Sequence, residues 1–274
     1  MASVMLDAGH GGYDAGASNQ GRLEKDDNLR LALAVGKILK NNGVDVLYSR
    51  TDDVYQSPNE KAGIANRSGA DYLISIHRNS SPNPNTYSGV ETLVYNDQGI
   101  PALFAENINR ELAQVGYNNL GTKERPGLAV LRGTQMPAAL VEVGFLNTDK
   151  DNQLFDEEFD AIANAIAQGI LQTVQEVDSS QSLTAQNTSA GDARPVIEDG
   201  GNYHIELGMF RHKNNAEVLA ENLQRDGYDC YIIPRNEYFS VCHGNYSSMQ
   251  EAENEEQGLF HAGYETRVIR SEDF

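Results

Sequence analysis

The 274-residue sequence predicts an α/β fold followed by a small α+β domain. Strand-like and helix-like patterns alternate as far as Val177, and the strands in this segment are almost entirely apolar. Apolar strands that alternate with helices indicate a mixed twisted sheet with helices on both faces. A polar stretch then separates this segment from a shorter one that contains an internal repeat.

The elements of the first segment follow one another in a regular order. Strands are predicted at SVMLDAG, VDVLYS, DYLISIH, GVETLVYN, LAVLR and AALVEVGFL. Helices are predicted at EKDDNLRLALAVGKILKNNG, SPNEKAGIANRSG and PALFAENINRELAQVG, and from Phe155 to Val177. The second helix begins with Ser57, Pro58 and Glu60, which is the pattern of a capping box with proline at the first helical position.

Residues 178–201 are rich in Ser, Thr, Asn, Asp and Gly and contain few large apolar residues. We interpret them as a flexible linker between a domain of residues 1–177 and a domain of residues 202–274. In the second domain a set of positions recurs 36 residues later, so that Tyr203 corresponds to Phe239. Each half has the pattern strand, turn, helix, strand. This repeat predicts a four-stranded sheet backed by two helices, the split βαβ arrangement of ferredoxin-like domains.

The composition argues against several partners and environments. The 40 acidic and 21 basic residues give a formal net charge of −19, which disfavours nucleic acid and anionic membranes as partners. No apolar run reaches the length of a transmembrane helix, about 18 residues, and we expect no signal peptide in this chain. Cys230 and Cys242 flank a predicted PRNE turn, so a cross-strand disulfide and two free thiols are both open.

Two histidines directly follow apolar strands. His10 comes after VMLDAG in a glycine-rich turn, and His77 comes after YLISI. Because ligands gather beyond the carboxyl ends of strands in α/β sheets, these imidazoles can converge. Glu24 opens the first predicted helix, and Glu142 interrupts the apolar run AALVEVGFL, where an ionised carboxylate needs a partner. Two histidines and a glutamate form a known catalytic zinc set with a fourth position open for water.

Structural roles can explain the same four residues without a metal. A histidine at the end of a strand is often part of the packing, and Glu24 in a first helical turn favours the helix dipole. A salt bridge to Arg50 or Arg132 is an alternative role for Glu142. Residue types and spacing alone leave the metal site and these alternatives open.

Eight motifs occur in a fixed order between Ser3 and Val177: LDAGHGGYDAGA, EKDDNL, SRTDD, EKAGIAN, ADYLISIHRNSS, GVET, RPGLAVLR and PAALVEVGFLNTDKD. Together they resemble the zinc-dependent N-acetylmuramoyl-L-alanine amidases of bacterial cell-wall turnover, the amidase-3 family. The resemblance implies a zinc-exopeptidase-like α/β fold. It also implies that His10, Glu24 and His77 bind Zn²⁺ and that Glu142 is the catalytic carboxylate.

The resemblance further implies a peptidoglycan hydrolase that cleaves the amide between N-acetylmuramic acid and the L-alanine of the stem peptide. Zinc would activate a water molecule, and Glu142 would accept its proton and return it to the leaving amine. Such an enzyme acts on the cell wall, either as a secreted bacterial autolysin or as a phage or prophage endolysin released by lysis. Two positions depart from the family pattern, where Lys61 replaces an arginine and Arg78 replaces a small residue. We expect Arg78 to contact the substrate or to reshape the cleft.

The second domain contains YHIELGMF, AEVLAENLQRDGYDCYII and AGYETRVI, and it resembles the sporulation-related repeat (SPOR) domains, which bind peptidoglycan. The resemblance covers Asn202 to Ile269. If alternate residues of the first strand pack on the helices, their neighbours face the open side of the sheet. The candidate glycan-binding surface on that side consists of His204, Glu206, Tyr238 and Ser240, with Cys242 on the same side.

Two alternative functions, from different functional classes, are also open for this protein. A metal-free glycosidase would use Glu24 and Glu142 as its carboxylate pair, but it would leave both histidines without a role. A catalytically inactive or regulatory peptidoglycan-binding protein would keep the fold without the chemistry, although all four candidate site residues are present.

Overall fold

The computed structural model describes residues 2–187, 203–210, 213–235, 238–262, 264 and 266–271. The chain divides into two compact units, which we describe separately. The first comprises Met1–Thr134 and Ala138–Thr184, and the second comprises Gln135–Pro137 and Ala185–Phe274.

Eight strands and six helices make up the described part of the first unit. The strands are β1 (Ser3–Ala8), β2 (Ser18–Asn19), β3 (Arg22–Leu23), β4 (Asp45–Tyr48), β5 (Tyr72–Asn79), β6 (Val90–Val94), β7 (Asn119–Glu124) and β8 (Ala138–Phe145). The helices are α1 (Glu24–Asn41), α2 (Pro58–Ser68), α3 (Gly99–Val115), α4 (Ala129–Arg132), α5 (Asp149–Glu157) and α6 (Phe159–Asn187).

Six strands form one mixed sheet in the order β4-β1-β5-β8-β6-β7. Strands β4, β1, β5 and β8 run parallel, β6 is antiparallel to β8, and β7 is parallel to β6. Leu6, Ile74 and Val141, on three adjacent strands, are completely buried because helices flank the sheet. The predicted mixed sheet flanked by helices is therefore confirmed.

The parallel strands bring their carboxyl ends to one edge of this sheet. Ala8 at the end of β1 lies beside Ile76 of β5, and His77 lies beside Glu142 of β8. Side chains at and beyond these strand ends can therefore meet, which is the usual position of ligand sites in such sheets.

Helix α2 begins with the predicted capping box. Ser57 Oγ accepts a hydrogen bond from the Glu60 N–H at 3.2 Å, and Glu60 Oε2 accepts one from the Ser57 N–H at 2.7 Å. Pro58 occupies the first helical position, where its missing N–H costs no intrahelical bond.

The segment LAVLR is not the predicted strand. Residues Ala129–Arg132 form α4, in which the Arg132 N–H donates to the Leu128 carbonyl at 2.9 Å. The sheet position that follows α3 is taken instead by β7, a polar strand that the hydrophobic pattern did not predict. A short apolar run does not distinguish a buried strand from a turn of buried helix, so tertiary packing decides between them.

The predicted end of the last helix at Val177 is wrong, and the first compact unit ends at Thr184. Helix α6 continues through residues 178–187, which were predicted as the first part of the linker. Those ten residues contain neither proline nor glycine, so nothing in the sequence terminates the helix at Val177. The remainder of the predicted linker lies outside the described residues. No helix in the described ranges combines the length and apolarity that a membrane span requires.

The second unit has the predicted order of elements. Its described elements are β9 (Tyr203–Phe210), α7 (Lys213–Arg225), β10 (Cys230–Arg235), β11 (Tyr238–Tyr246), α8 (Met249–His261) and β12 (Arg267–Arg270). The strands form an antiparallel sheet in the order β10-β11-β9-β12. Both helices pack on this sheet, and the β-α-β-β-α-β order is the split βαβ arrangement that the repeat predicts.

The residues predicted to form an exposed glycan-binding surface are not exposed on this sheet. His204, Glu206 and Ser240 are buried, Cys242 is also buried, and Tyr238 is half-buried. The imidazole of His204 is used within the unit, because its Nδ1 lies 2.5 Å from the Tyr231 hydroxyl.

The buried carboxylate of Glu206 is paired with side chains of three other strands of the sheet. Glu206 Oε2 accepts hydrogen bonds from Arg235 Nη1 and Ser240 Oγ, both at 2.9 Å, and Oε1 accepts one from Arg267 Nη2 at 2.5 Å. A buried charge is stable only when it is paired in this way. Strand alternation predicts which side chains share a face, but not that they bind one another across strands.

The two cysteines are free and buried. In the register of β10 and β11, Cys230 lies opposite His243 and Cys242 lies opposite Tyr231. The cysteines are therefore offset by one position and point to opposite faces of the sheet, which excludes a bridge in this conformation.

The expectation that Arg78 contacts substrate is also wrong, because its side chain lies in the core. Arg78 Nη1 donates to Asp27 Oδ2 at 2.7 Å, and Nε donates to the Val143 carbonyl at 3.0 Å. The guanidinium lies 4.3 Å from the centre of the Phe155 ring. This arginine joins α1, β5, β8 and α5 through one buried group.

Replacing Arg78 by alanine should destabilise the first unit by about 3 kcal/mol, near the lower limit for a broken buried ion pair, because Arg22 still pairs with Asp27. Urea unfolding measures this change. Arg110→Ala is a matched control, since that side chain is half exposed and lies 3.7 Å from its partner Glu111; it should cost less than about 1 kcal/mol. Equal stability of the two variants would contradict a core role for Arg78.

Candidate metal centre

The three candidate ligand residues converge at the carboxyl edge of the sheet. His10 lies two residues beyond β1, Glu24 is the first residue of α1, and His77 lies near the end of β5. One nitrogen or carboxylate oxygen from each residue lies within 4.8 Å of the others. Two imidazoles and one carboxylate are a donor set that suits a divalent transition metal, so the residues present fit such an ion.

The buried carboxylate of Glu24 joins the two imidazoles. Its Oε2 lies 3.2 Å from His10 Nε2, and its Oε1 lies 2.9 Å from His77 Nδ1. The N–H groups of Ala17 and Arg78 donate to the same carboxylate at 2.8 and 3.1 Å. Glu24 is only 4% exposed, and these contacts supply the partners that its buried charge requires.

Glycines make room for this arrangement in the turn after β1. A Cβ atom at Gly9 would lie 2.3 Å from Cε1 of His77, and one at Gly16 would lie 2.6 Å from Glu24 Oε2. Gly16 also has a φ of 66°, in the left-handed region that favours glycine. The glycine-rich turn around His10 is thus needed for close packing against the other two candidate ligands.

Asp14 orients His10, and the sequence analysis missed this residue. Asp14 Oδ2 lies 2.9 Å from His10 Nδ1, and Asp14 Oδ1 accepts a hydrogen bond from the Gly16 N–H at 3.0 Å. Because Asp14 engages Nδ1, the nitrogen that faces the other two candidate ligands is Nε2, which lies 3.2 Å from Glu24 Oε2. Carboxylates that orient a metal-binding histidine in this way are common in metal sites. A carboxylate four residues after a histidine in a turn was the available signal.

Two buried cations hold the backbone immediately before the first histidine. Arg50 donates to the carbonyls of Ala8 and Gly9, each at 3.0 Å. Lys61 Nζ donates to the Ala8 carbonyl and to Asp7 Oδ1, each at 2.6 Å. Lys61, one of the two departures from the family pattern, therefore makes a buried ion pair inside the core and fixes the exit of β1.

The electrostatics of the site favour positive charge. Burial opposes protonation of His10, but the carboxylates of Glu24 and Asp14 outweigh it and raise the His10 pKa to about 9. His77 behaves similarly, since the neighbouring Glu24 outweighs burial and raises its pKa. In return, hydrogen bonds from the histidines outweigh burial and hold the Glu24 pKa far below its usual range. The same negative potential would favour a bound cation.

Glu142 differs from Glu24 because one of its oxygens has no partner. Among the described residues, its Oε2 is buried without a hydrogen bond. Burial raises the Glu142 pKa to about 7, although the nearby His77 acts in the opposite direction. Arg50 is engaged by backbone carbonyls and Arg132 is exposed, so within the described residues no salt bridge forms between either of them and Glu142. A carboxyl group with a pKa near 7 suits proton transfer at neutral pH.

Comparison with known proteins places this site in a family. The sequence profile of the N-acetylmuramoyl-L-alanine amidases matches residues 4–172, which is more than half of the chain. The chain is 35% identical over 239 residues to the sporulation-specific N-acetylmuramoyl-L-alanine amidase of Bacillus subtilis strain 168, a match that covers 85% of each chain. It is 33% identical over 201 residues to an endolysin of Bacillus phage SPP1, with 72% of this chain and 71% of that protein covered.

A solved structure agrees with these sequence matches. The crystal structure of the N-acetylmuramoyl-L-alanine amidase from Clostridium difficile 630 is similar with a TM-score of 0.60 and 37% identity. The similarity covers 97% of that chain and 64% of this one. The profile, the relatives and the shared fold agree that the chain belongs to the N-acetylmuramoyl-L-alanine amidase family.

Proposed function

We propose that the chain is a zinc-dependent peptidoglycan hydrolase that cleaves the amide between N-acetylmuramic acid and the L-alanine of the stem peptide. The observation that carries the proposal is the convergence of His10, Glu24 and His77 beside Glu142, whose strand position adjoins His77. Membership of the amidase family supports the same reaction. The relatives include both a sporulation amidase and a phage endolysin, so either biological setting agrees with this chemistry.

The three converging residues would hold the zinc ion, and each is positioned for it before binding. Zinc in such a site polarises a substrate carbonyl and lowers the pKa of water. Asp14 fixes the His10 ring, and the backbone bonds to Glu24 fix the carboxylate between the imidazoles. A ligand set that is held in place in this way loses little conformational freedom when the ion binds.

Glu142 would move the proton. Its unpartnered Oε2 can accept a proton from the attacking water, and the resulting carboxylic acid can deliver it to the leaving nitrogen of L-alanine. Because the pKa of Glu142 is raised to about 7 by burial, both protonation states are accessible near neutral pH.

The glycosidase alternative is less compatible with the site. A glycosidase needs one carboxyl group that remains protonated as a general acid. Glu142 can supply it, since its pKa is raised to about 7, but both oxygens of Glu24 are engaged by the two imidazoles and by backbone N–H groups, so Glu24 is not available as the second catalytic carboxylate. A glycosidase would also leave His10 and His77 without a role.

The second unit would hold the enzyme on peptidoglycan. Its SPOR-like motifs and its split βαβ arrangement support this role. The match to the sporulation amidase spans 239 residues, more than the whole of the first unit, so it includes part of the second. The buried faces of His204, Glu206 and Ser240 do not supply the binding surface in the described conformation.

The purified chain should contain about one zinc ion per molecule, bound by two imidazoles and a carboxylate. His10→Ala should lose most of that zinc, as measured by elemental analysis after dialysis, and should lose amidase activity. His243→Ala removes a histidine of the second unit and should keep the zinc. A chelated, verified zinc-free sample that retains full activity would contradict the proposal.

Glu142→Gln should keep the fold and the zinc content but lower kcat by about 10²–10⁴-fold, the usual contribution of general acid–base catalysis. Glu91→Gln is a matched control on the neighbouring strand, since Glu91 lies in register with Glu142 but is already bonded to Asn79 and Lys123. It should keep most of the turnover. If the two variants lose turnover equally, another group moves the proton.

A truncated chain that ends after Asn187, at the observed end of α6, should separate the two roles. It keeps all four candidate residues and the whole of residues 4–172, the range that the family profile matches. Hydrolysis of a soluble muropeptide should therefore be unchanged, whereas lysis of intact sacculi should slow because tethering raises the local concentration of scissile bonds. Equal slowing of both reactions would indicate that the second unit acts on the active site instead.

A further inference from the structure

A pair of exposed tyrosines lies next to the candidate metal centre and has no role in the chemistry described above. Tyr13 is 82% exposed, and its ring stacks on that of Tyr55 with centroids 4.1 Å apart and planes 25° apart. Val54, beside Tyr55 in the chain, is 47% exposed. We call Tyr13 and Tyr55 the tyrosine platform. An exposed aromatic cluster beside an active centre is a feature of ligand sites.

Hydrogen bonds and close backbone packing connect the two loops that carry the platform. The N–H of Gly12 donates to Asp53 Oδ1 at 2.7 Å, and Lys25 Nζ donates to Asp53 Oδ2 at 2.6 Å and to the Gly12 carbonyl at 2.8 Å. A Cβ atom at Gly12 would lie only 2.6 Å from the backbone nitrogen of Tyr55. These contacts join the turn after β1 to the segment after β4. Rings that are ordered before binding lose little entropy when a ligand covers them.

The position of the platform along the sheet edge is defined by the strand order. Tyr13 lies three residues after His10 and next to Asp14, which bonds the His10 ring. The platform belongs to the segments after β4 and β1, the candidate ligands His10 and His77 to β1 and β5, and Glu142 to β8. The platform and Glu142 therefore lie on opposite flanks of the candidate ligands.

This order fixes how the substrate must lie, given the proposed amide hydrolysis. The carbonyl of the scissile amide must face the His10–Glu24–His77 set, whereas the leaving nitrogen must be within reach of the proton on Glu142. The acyl half of the substrate therefore extends toward the tyrosine platform, and the stem peptide extends toward β8. The acyl half carries the muramic acid ring.

We propose that the tyrosine platform binds a sugar ring of the glycan strand on the acyl side of the scissile amide. The inference rests on the proposed function and adds a specificity site to it. Pyranose rings present a face of C–H groups that packs against an aromatic ring, while their hydroxyl groups stay in water. Stacking of this kind needs no positive charge, which agrees with the net charge of −19.

The test compares two substrates that differ only in the sugar: a muropeptide, and the lactoyl-peptide that lacks the pyranose ring. Tyr13→Ala should raise KM for the muropeptide by about three- to tenfold, the contribution of one aromatic contact. KM for the lactoyl-peptide should change much less, and Tyr13→Phe should restore the muropeptide KM because the ring is kept. Tyr87→Ala is the matched control, since Tyr87 is 58% exposed but precedes β6 on the opposite flank. It should leave the ratio of the two KM values unchanged.

A binding measurement provides a second readout. The chain contains no tryptophan, so Tyr13→Trp combined with Glu142→Gln places a single tryptophan, which can be excited selectively over the tyrosines, on the platform of an enzyme that cleaves slowly. Its emission should shift on addition of the muropeptide and not on addition of the lactoyl-peptide. If the shift is the same for both ligands, or if Tyr13→Ala affects both KM values equally, the platform does not bind the sugar. If the unmodified enzyme cleaves neither substrate, the proposed amidase function fails instead.

Discussion

The structure of the first unit is organised around one buried carboxylate, that of Glu24. It lies between two imidazoles and accepts backbone hydrogen bonds, because a buried charge is tolerated only when its oxygens are paired. To meet His10 and His77, the first residue of α1 must approach the ends of two adjacent parallel strands. The turn between β1 and α1 can then contain no side chain at Gly9 or Gly16. The glycine-rich sequence is thus a consequence of the packing around Glu24.

A second layer of polar contacts holds the strand end in place. The carbonyls of Ala8 and Gly9 lie at the end of β1, where Arg50 donates to both of them and Lys61 donates to that of Ala8. Buried cations are costly unless each donor finds an acceptor. Here the unpaired carbonyls at the strand end provide acceptors, and Asp7 neutralises Lys61. The buried charges of Arg50 and Lys61 therefore fix the backbone at the end of β1.

The sequence was sufficient to predict the structural features that depend on local residue patterns and those that belong to long motifs. Alternating apolar strands and helices predicted the mixed sheet, and the capping box at Ser57 predicted the start of α2. Two failures concern local signals that were available, namely the absence of a helix stop after Val177 and the carboxylate of Asp14 four residues after His10. The other failures concern tertiary competition. Short apolar runs such as LAVLR can pack as helix or strand, and the charges of Arg78 and Glu206 are buried because they found partners distant in sequence. The periodicity of a sequence does not reveal partners that are distant along the chain. Residues that were predicted to bind ligands at the surface therefore lie in the core.

The acidic groups around the two histidines determine what the centre can hold. Asp14 and Glu24 raise the pKa of His10 to about 9 because they stabilise positive charge at the imidazole. A metal ion needs the neutral ring, so protons and metal compete for the same nitrogen atoms. Under the proposed function, a divalent ion would contact Glu24 and both imidazoles at once, whereas each proton binds one nitrogen. The negative potential that Asp14 and Glu24 share would therefore favour the ion over separate protons. Glu142 lies outside this competition, and under the proposed function its unpartnered Oε2 would exchange a proton with the substrate.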